Sequence, residues 1–320
     1  MRLAGVYAMA RLADDWKEQR QVCVDVLCAY LRMPYQPDPG AASTTPDGKS
    51  LSSTRAAYKE GEREVRHTII RVIRNHLQPG RARRPPHAPT SWSECSFDFT
   101  NVTFDGGDLS GSHFRGTVSF DRAEFSGGTV SFTEAKFNGT VSFSKVKFNG
   151  GTVAFVDAEF SGGTVSFTGA KFNGGTVTFK KAKFTGGTVA FIDVKFSEGA
   201  IACDGAEFSG GTILFVRAAF KRGTVAFTGT KFSGSAVEFT LARFNGGTVD
   251  FDGAEFSGDE VSFTLAEFSG GAVSFTGAKF NGGTVSFTVA KSSGGRVDFD
   301  NVTGAPQDWG PFQPSTGSEG

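Results

Sequence analysis

The sequence predicts a mainly β repeat solenoid preceded by a small α-helical segment, and three observations predict it. Of the chain's 34 phenylalanines, all but Phe312 lie between Phe97 and Phe299. From Phe148 to Phe280 the ladder positions alternate at intervals of five and seven, so that one unit, the sum of the two intervals, reads AKFNGGTVTFKK (Ala170–Lys181). Glycine is abundant, at 43 residues, and clusters between the units. A fixed short period means one structural unit stacked on itself, and here it sets the large residues in a continuous internal ladder.

Composition bounds what such a chain does. At 320 residues it has room for one large domain or two ordinary ones, and its net charge is zero. Residues 1–97 carry 15 Lys and Arg against 10 Asp and Glu; residues 98–303 carry 18 against 21. A net of about −3 over the array is a mixed, solvated surface and not a strong field, and it argues for neither nucleic-acid binding nor an intensely acidic face. The four cysteines (Cys23, Cys28, Cys95, Cys203) match no metal or disulfide spacing, and unpaired thiols suit a reducing cytoplasm. No apolar run approaches the roughly 18 residues of a membrane span, and the N-terminus lacks the pattern of a signal peptide.

The elements follow in chain order. Leu3, Val6, Tyr7, Ala10 and Ala13 recur at helical spacing and predict a helix over about 2–14. Val22, Val26, Leu27, Tyr30 and Leu31 predict a second over 17–32, with Asp14 and Asp15 placed to cap it and meet its dipole. Pro34, Pro37 and Pro39 end it, and 34–53 reads as a loop. Val65, Ile69, Ile70, Val72, Ile73 and Leu77 mark a third helix over about 54–77, stopped by Pro79-Gly80. Residues 1–78 are thus an α-helical segment. Residues 79–94 (with Arg81, Arg83 and Arg84) read as a Pro/Arg-rich, solvated linker, 95–303 as the repeat array, and 304–320 as a disordered tail.

The first turns of the array are the simplest. Phe99, Phe104, Leu109 and Phe114 are spaced by five, in units VTFDG, GDLSG and SHFRG. This pattern resembles the pentapeptide-repeat family, whose unit is a small residue, Asp or Asn, Leu or Phe, then two polar residues. The longer units fit the same scheme: AKFNG and VTFKK are two pentapeptides with Gly175-Thr176 inserted between them, and the shortenings before Thr117 and Thr140 fall at that corner. The resemblance covers roughly 95–303 and implies a right-handed, four-sided parallel β-helix, one pentapeptide per side. Period-2 alternation agrees, setting Val165 and Phe167 on one face and Ser166 and Thr168 on the other. The N-terminal segment is similar to the region that precedes the repeats in actinobacterial members of the family. Those members often carry transmembrane helices further upstream; the expectation here is that such an anchor is absent or was lost to a shorter gene product.

Two sides cannot enclose a core of phenylalanines, so four sides are expected, with two repeat units to each coil. Charge tests this. At a 24-residue period one side reads Lys136, Glu159, Lys183, Glu207, Lys231, Glu255, Lys279, alternating at every step. The opposite side reads Glu124, Lys147, Lys171, Lys195, Ala219, Arg243, Glu267, Lys291. Nine neighbours are then of opposite sign and two alike, whereas a coil of a single unit gives six of each. About eight and a half coils make a rod roughly 40 Å long at ~4.8 Å per coil. The expected core ladder includes Phe160, Phe167, Phe172, Phe179, Phe184, Phe191, Cys203, Phe208, Phe215 and Phe227, with Cys203 a small buried residue in a phenylalanine slot. Ser292 breaks the ladder near its end.

No catalytic, cofactor or metal site is expected. His67, His76, His87 and His113 have no metal spacing and read as solvated. The Gly-Gly-Thr steps lack the context of a phosphate loop and serve as corners. The leading functional expectation is a non-enzymatic, cytoplasmic scaffold or protein-interaction module that binds a protein partner. Homodimerisation is left open, and neither nucleic acid nor a membrane span in this chain is expected. The resemblance implies an alternative, DNA mimicry directed at DNA gyrase or another nucleic-acid enzyme, which requires an acidic rod. A minor alternative is ice or carbohydrate binding by exposed hydroxyl pairs such as Ser166 and Thr168, Ser262 and Thr264, Ser286 and Thr288; Ala190 and Ile192, Leu214 and Val216, and Asp250 and Asp252 interrupt that array. The helical segment is expected to act as an adaptor or to cap the open first coil.

Overall fold

Inward Val or Ala alternating with inward Phe produces strands of two or three residues, too short to stand alone and stable only as stacks. The computed structural model describes residues 2–37, 61–78, 91–257, 260–304 and 310–312. Within them four parallel sheets run along one axis, three of nine strands and one of eight. Face one begins at Phe97–Asp98 and ends at Thr284–Ser286; face two runs from Thr103–Phe104 to Lys291–Ser292. Face three runs from Gly107–Asp108 to Arg296–Asp298, and face four from His113–Phe114 to Lys279–Phe280. The chain visits the faces in that order, about eight turns in all. Register places Phe160 on Phe184 and Val165 on Val189, so each coil takes two repeat units, with shorter early coils such as Phe114 on Phe137.

The core is four columns of rings. Within a column the rings stack at close to the strand spacing: Phe160 on Phe184 at 4.6 Å and 2°, Phe143 on Phe167 at 4.8 Å and 3°. Between columns they meet edge to face, as Phe167 does with Phe179 at 6.0 Å and 87°. Both geometries suit the aromatic quadrupole, and each ring removes ~150–250 Å² from water. Phe160, Phe167, Phe172, Phe179, Phe184, Phe191, Cys203, Phe208, Phe215 and Phe227 are all buried. Cys203 stands between Phe179 and Phe227 in the face-three column, where neighbouring slots stack ring on ring.

Two kinds of corner turn the chain. After each Phe that closes face one or face three, the second residue adopts left-handed φ. On the edge between faces one and two this column reads Asn101, Arg122, Lys145, Gly169, Asp193, Arg217, Leu241, Leu265, Val289. Only one of these is glycine, so most of the turns bear a strain of about 1–2 kcal/mol that the stack over-determines. The other corners are glycine-rich, most of them Gly-Gly steps, and at the glycine nearer the next strand the reason is space. A Cβ on Gly199 would lie 2.7 Å from both the Gly175 carbonyl oxygen and Phe172 Cβ of the coil below.

Among the described residues three helices close the N-terminal end: α1 (Arg2–Asp15), α2 (Arg20–Arg32) and α3 (Glu62–Leu77). The second helix begins later than the pattern over 17–32 implies, because Lys17–Gln19 forms a 3-10 turn. Neither Asp14 nor Asp15 caps it: no side-chain cap is present at Gln19. Asp14 instead accepts a hydrogen bond from Trp92 Nε1 (3.2 Å) and faces His76 Nε2 (3.2 Å), while Asp15 pairs with Arg11. The third helix starts at Glu62, after Gly61 at φ +75°; its expected first turns over 54–60 lie outside the described residues, as do 38–53 of the expected loop. Residues 79–90 of the expected linker, with Arg81, Arg83, Arg84 and His87, are also outside them. Its last residues are no spacer: Trp92 is fully buried, stacked on His76 at 4.1 Å.

α2 lies on the open edge of face one, where Gln21 and Ser96 exchange hydrogen bonds and Arg32 holds Asp98. α3 lies on face three, where Ile70 packs over Gly107 and Arg74 pairs with Asp108. α1 packs against both other helices. The unpaired edges of two faces are thus occupied, which bars them from recruiting another chain's strands. At the far end Ser292 is exposed and leaves Phe268 without a ring above it. Phe312 returns to cover Phe268 (4.9 Å, 81°) and Phe287 (5.3 Å, 66°), so this part of the expected disordered tail is a plug.

Three substitutions separate these forces in denaturant unfolding. Gly199→Ala is expected to cost about 3 kcal/mol, because framework atoms block its Cβ. Gly253→Ala, at φ +63° with nothing within 4 Å of its Cβ, is expected to cost only about 1 kcal/mol. Cys203→Phe is expected to stabilise by about 1 kcal/mol by completing the column.

Candidate interaction surfaces of the cap and rod

Besides the pairs at Asp98 and Asp108, the cap converges on one carboxylate of the rod. Asp105, in the first coil, receives Tyr35 Oη (2.7 Å) and Arg63 Nε (2.9 Å) on Oδ2 and faces His67 Nε2 (2.9 Å) on Oδ1. Burial alone would raise its pKa, but the hydrogen bonds from His67, Tyr35 and Arg63 prevail and hold it down at about 2. Burial and the hydrogen bond to Asp105 push the Tyr35 hydroxyl well above its ordinary range. Arg66 lies over the Tyr35 ring at 4.4 Å and bonds the Leu31 carbonyl, so the last turn of α2, the following loop and α3 meet at one point.

The reading of solvated histidines is therefore corrected for three of the four. His67 binds Asp105, and His76 is sandwiched between Trp92 and its own helix, with Nδ1 on the Val72 carbonyl (2.7 Å). His113 lies half-buried in face four, its pKa lowered by burial and then by Lys136 and Arg115. His87 lies outside the described residues. His67 and His76 are placed by tertiary contacts, and His113 by its register in the stack beside Lys136.

On the rod the charge columns stack as the two-unit coil requires. Glu159 lies beside Lys136 and Lys183, with a Lys136–Glu159 pair at 2.9 Å; Lys279 and Glu255 pair at 2.9 Å, and the Lys279 ammonium lowers the Glu255 pKa. Such exposed pairs contribute little to stability, because water and salt screen them. On face two Lys147, Lys171 and Lys195 stand in register with one another. Lys147 reaches Glu124 only at 3.9 Å, and among the described residues Lys171 and Lys195 have no ion-pair partner.

The hydroxyl array of face one is largely self-satisfied. Ser166 bonds Thr168, Ser262 bonds Thr264 and Ser286 bonds Thr288, at 2.8–3.0 Å, and each Thr amide also donates to the preceding Ser. Hydroxyls engaged this way are poor partners for an ordered lattice of water or sugar. Three further surface features had no sequence signal. Leu241, Leu265 and Val289 form an exposed apolar line on the one–two edge, because they occupy the left-handed column. Nearby, a groove of about 520 Å³ opens beside Gly169 and Ala219, lined also by Lys145, Lys171, Lys195 and Arg243. A second groove, of about 430 Å³, lies between Arg74 of α3 and face four.

All four cysteines are buried and free. Burial pushes the Cys28 thiol up to about 12 and raises those of Cys23, Cys95 and Cys203. Among the described residues no group of His, Cys, Asp or Glu is disposed to hold a metal, and no helix is long and apolar enough to cross a membrane.

A phenylalanine-filled rod of four parallel faces, closed by helices, defines a β-solenoid repeat scaffold. The family model described as pentapeptide repeats (9 copies) matches residues 99–147 and 132–177. That stretch of the rod therefore matches the pentapeptide-repeat family model, and the same geometry continues coil by coil to Asp298. Comparison with curated proteins and with solved structures gave no match.

Two measurements follow. Asp105 has a folded pKa below its unfolded value, so its contribution is present above about pH 4 and is lost as pH falls toward 2. Far-UV helical signal is expected to drop in that window before the β signal does, and Asp105→Asn to remove the pH step. A thiol reagent is expected to leave all four cysteines unmodified in the native state and to titrate four after denaturation.

Proposed function

We propose that this protein is a non-enzymatic scaffold that presents flat, patterned faces to a protein partner, in a reducing, cytoplasmic compartment. The observation that carries this reading is the division of residues between inside and outside. The interior is filled by ring columns, and the thiols are buried with raised pKa values, so reactive groups are withheld from solvent. The variation from coil to coil lies on the surface, and extended repeat surfaces suit recognition. The unpaired thiols support the compartment. DNA mimicry of the gyrase-binding kind is disfavoured by the lysine column on face two, which is the reverse of a phosphate-like surface.

Affinity capture with the full chain, followed by titration of the purified partner, tests the reading. A saturable complex of fixed stoichiometry is expected, weakened at least tenfold by substitutions on one face and unaffected by those on another. A chain that captures nothing saturable, or whose every face variant binds alike, overturns it. In a DNA gyrase supercoiling assay no inhibition is expected at micromolar protein; titratable inhibition would favour the alternative.

A further inference from the structure

The outward columns of faces two and four contain eleven neighbouring charge pairs, and only two of them are alike in sign: Lys147 with Lys171, and Lys171 with Lys195. Both lie in one place, and that place borders the groove of about 520 Å³. The groove exists because two columns lose their side chains there. Gly169 leaves a gap between Lys145 and Asp193 on the edge, and Ala219 one between Lys195 and Arg243 on face two. Lys145, Lys171 and Lys195 thus border a concavity lined also by Val194, Ala219 and Leu241. The carboxylate in the groove, Asp193, is occupied by Arg217 through two hydrogen bonds of 2.7 Å, and Arg243 is turned toward Glu267 at 3.4 Å. Among the described residues that line the groove, the free cations are therefore lysines.

We propose that this groove binds an acidic segment of a protein partner, with carboxylates on Lys145, Lys171 and Lys195 and an apolar side chain on Ala219 and Leu241. The inference rests on the scaffold reading and names the face it uses. Unneutralised lysines in register repel one another, and an incoming anion removes that repulsion. The chemistry favours carboxylates on a peptide over phosphate. Both arginine forks near the groove already hold carboxylates, and no described helix N-terminus points into it, so the bidentate and backbone donors that usually grip phosphate are lacking. A nucleic-acid track would need a longer basic stripe and aromatic platforms for bases, whereas the rings of this rod face inward.

The test uses the full chain and fluorescence anisotropy with three probes: a labelled peptide alternating Glu and Leu, the same peptide competed by inorganic tripolyphosphate, and a labelled single-stranded oligonucleotide. The peptide is expected to bind saturably at low salt and to weaken as salt rises. Lys171→Glu places a carboxylate between Lys147 and Lys195. It is expected to weaken the peptide at least tenfold while the Tm at low salt stays equal to the parent's or rises, because alternation is restored; misfolding would lower it. Should that variant fold poorly, Ala219→Glu, which fills the groove from a neighbouring coil, is expected to give the same loss. Unchanged peptide affinity in folded Lys171→Glu overturns the proposal, as does tighter binding of tripolyphosphate or of the oligonucleotide. If Lys171→Glu still captures the natural partner, the groove is refuted and the scaffold reading stands; if the parent captures none, the scaffold reading itself fails.

Discussion

Everything in this rod answers to the spacing of hydrogen-bonded parallel strands, ~4.8 Å. That distance is imposed by the backbone, and a flat aromatic ring is the side chain that fills it without slack. Phenylalanines stacked at 4.5–5.4 Å therefore occupy nearly every large slot. Four such columns leave room for Val or Ala beside each ring and for no side chain at the inner glycine of corners such as Gly187, Gly199 and Gly247. The same spacing governs the outside, where an outward residue always has neighbours at one strand's distance above and below. Charge order on the surface is thus a by-product of the pitch that packs the core.

The rod was legible in the sequence because it is periodic. Intervals of five and seven mark the sides, and charge that alternates at every second unit fixes the coil, as the pairing of Glu159 with Lys183 shows. The cap was legible only as three helical stripes. Its anchoring was not, since the contacts that make it are single and distant: Asp14 to Trp92 spans 78 residues, and Tyr35 to Asp105 spans 70. One signal was available. Arg63, His67 and Arg74 fall on the side of α3 that carries Ile70, and a basic stripe beside an apolar one implies an acidic counterpart, which the first coil supplies in Asp105 and Asp108.

The left-handed column escaped notice for the opposite reason. Lys145, Asp193, Leu241 and Val289 look like ordinary outward residues, and nothing in their types marks a strained turn. The stack sets their conformation, so strain is tolerated wherever coils above and below agree. This freedom lets the edge carry acid, base, glycine or leucine without altering the path of the chain. The groove beside Gly169 and the apolar line at Leu265 both arise from it.

The core repeats with every unit of two sides, whereas the surface repeats only with every full coil. Gain or loss of one such unit within the array would be nearly silent inside, because ring would still meet ring. Outside, it would turn all later residues half a revolution, bringing the Ala-x-Phe charges of face four onto face two and breaking alternation at the seam. Only changes by whole coils preserve both. The molecule therefore has two clocks, and its outer pattern is the more exacting of them: a slip that the core cannot feel would rewrite what a partner sees.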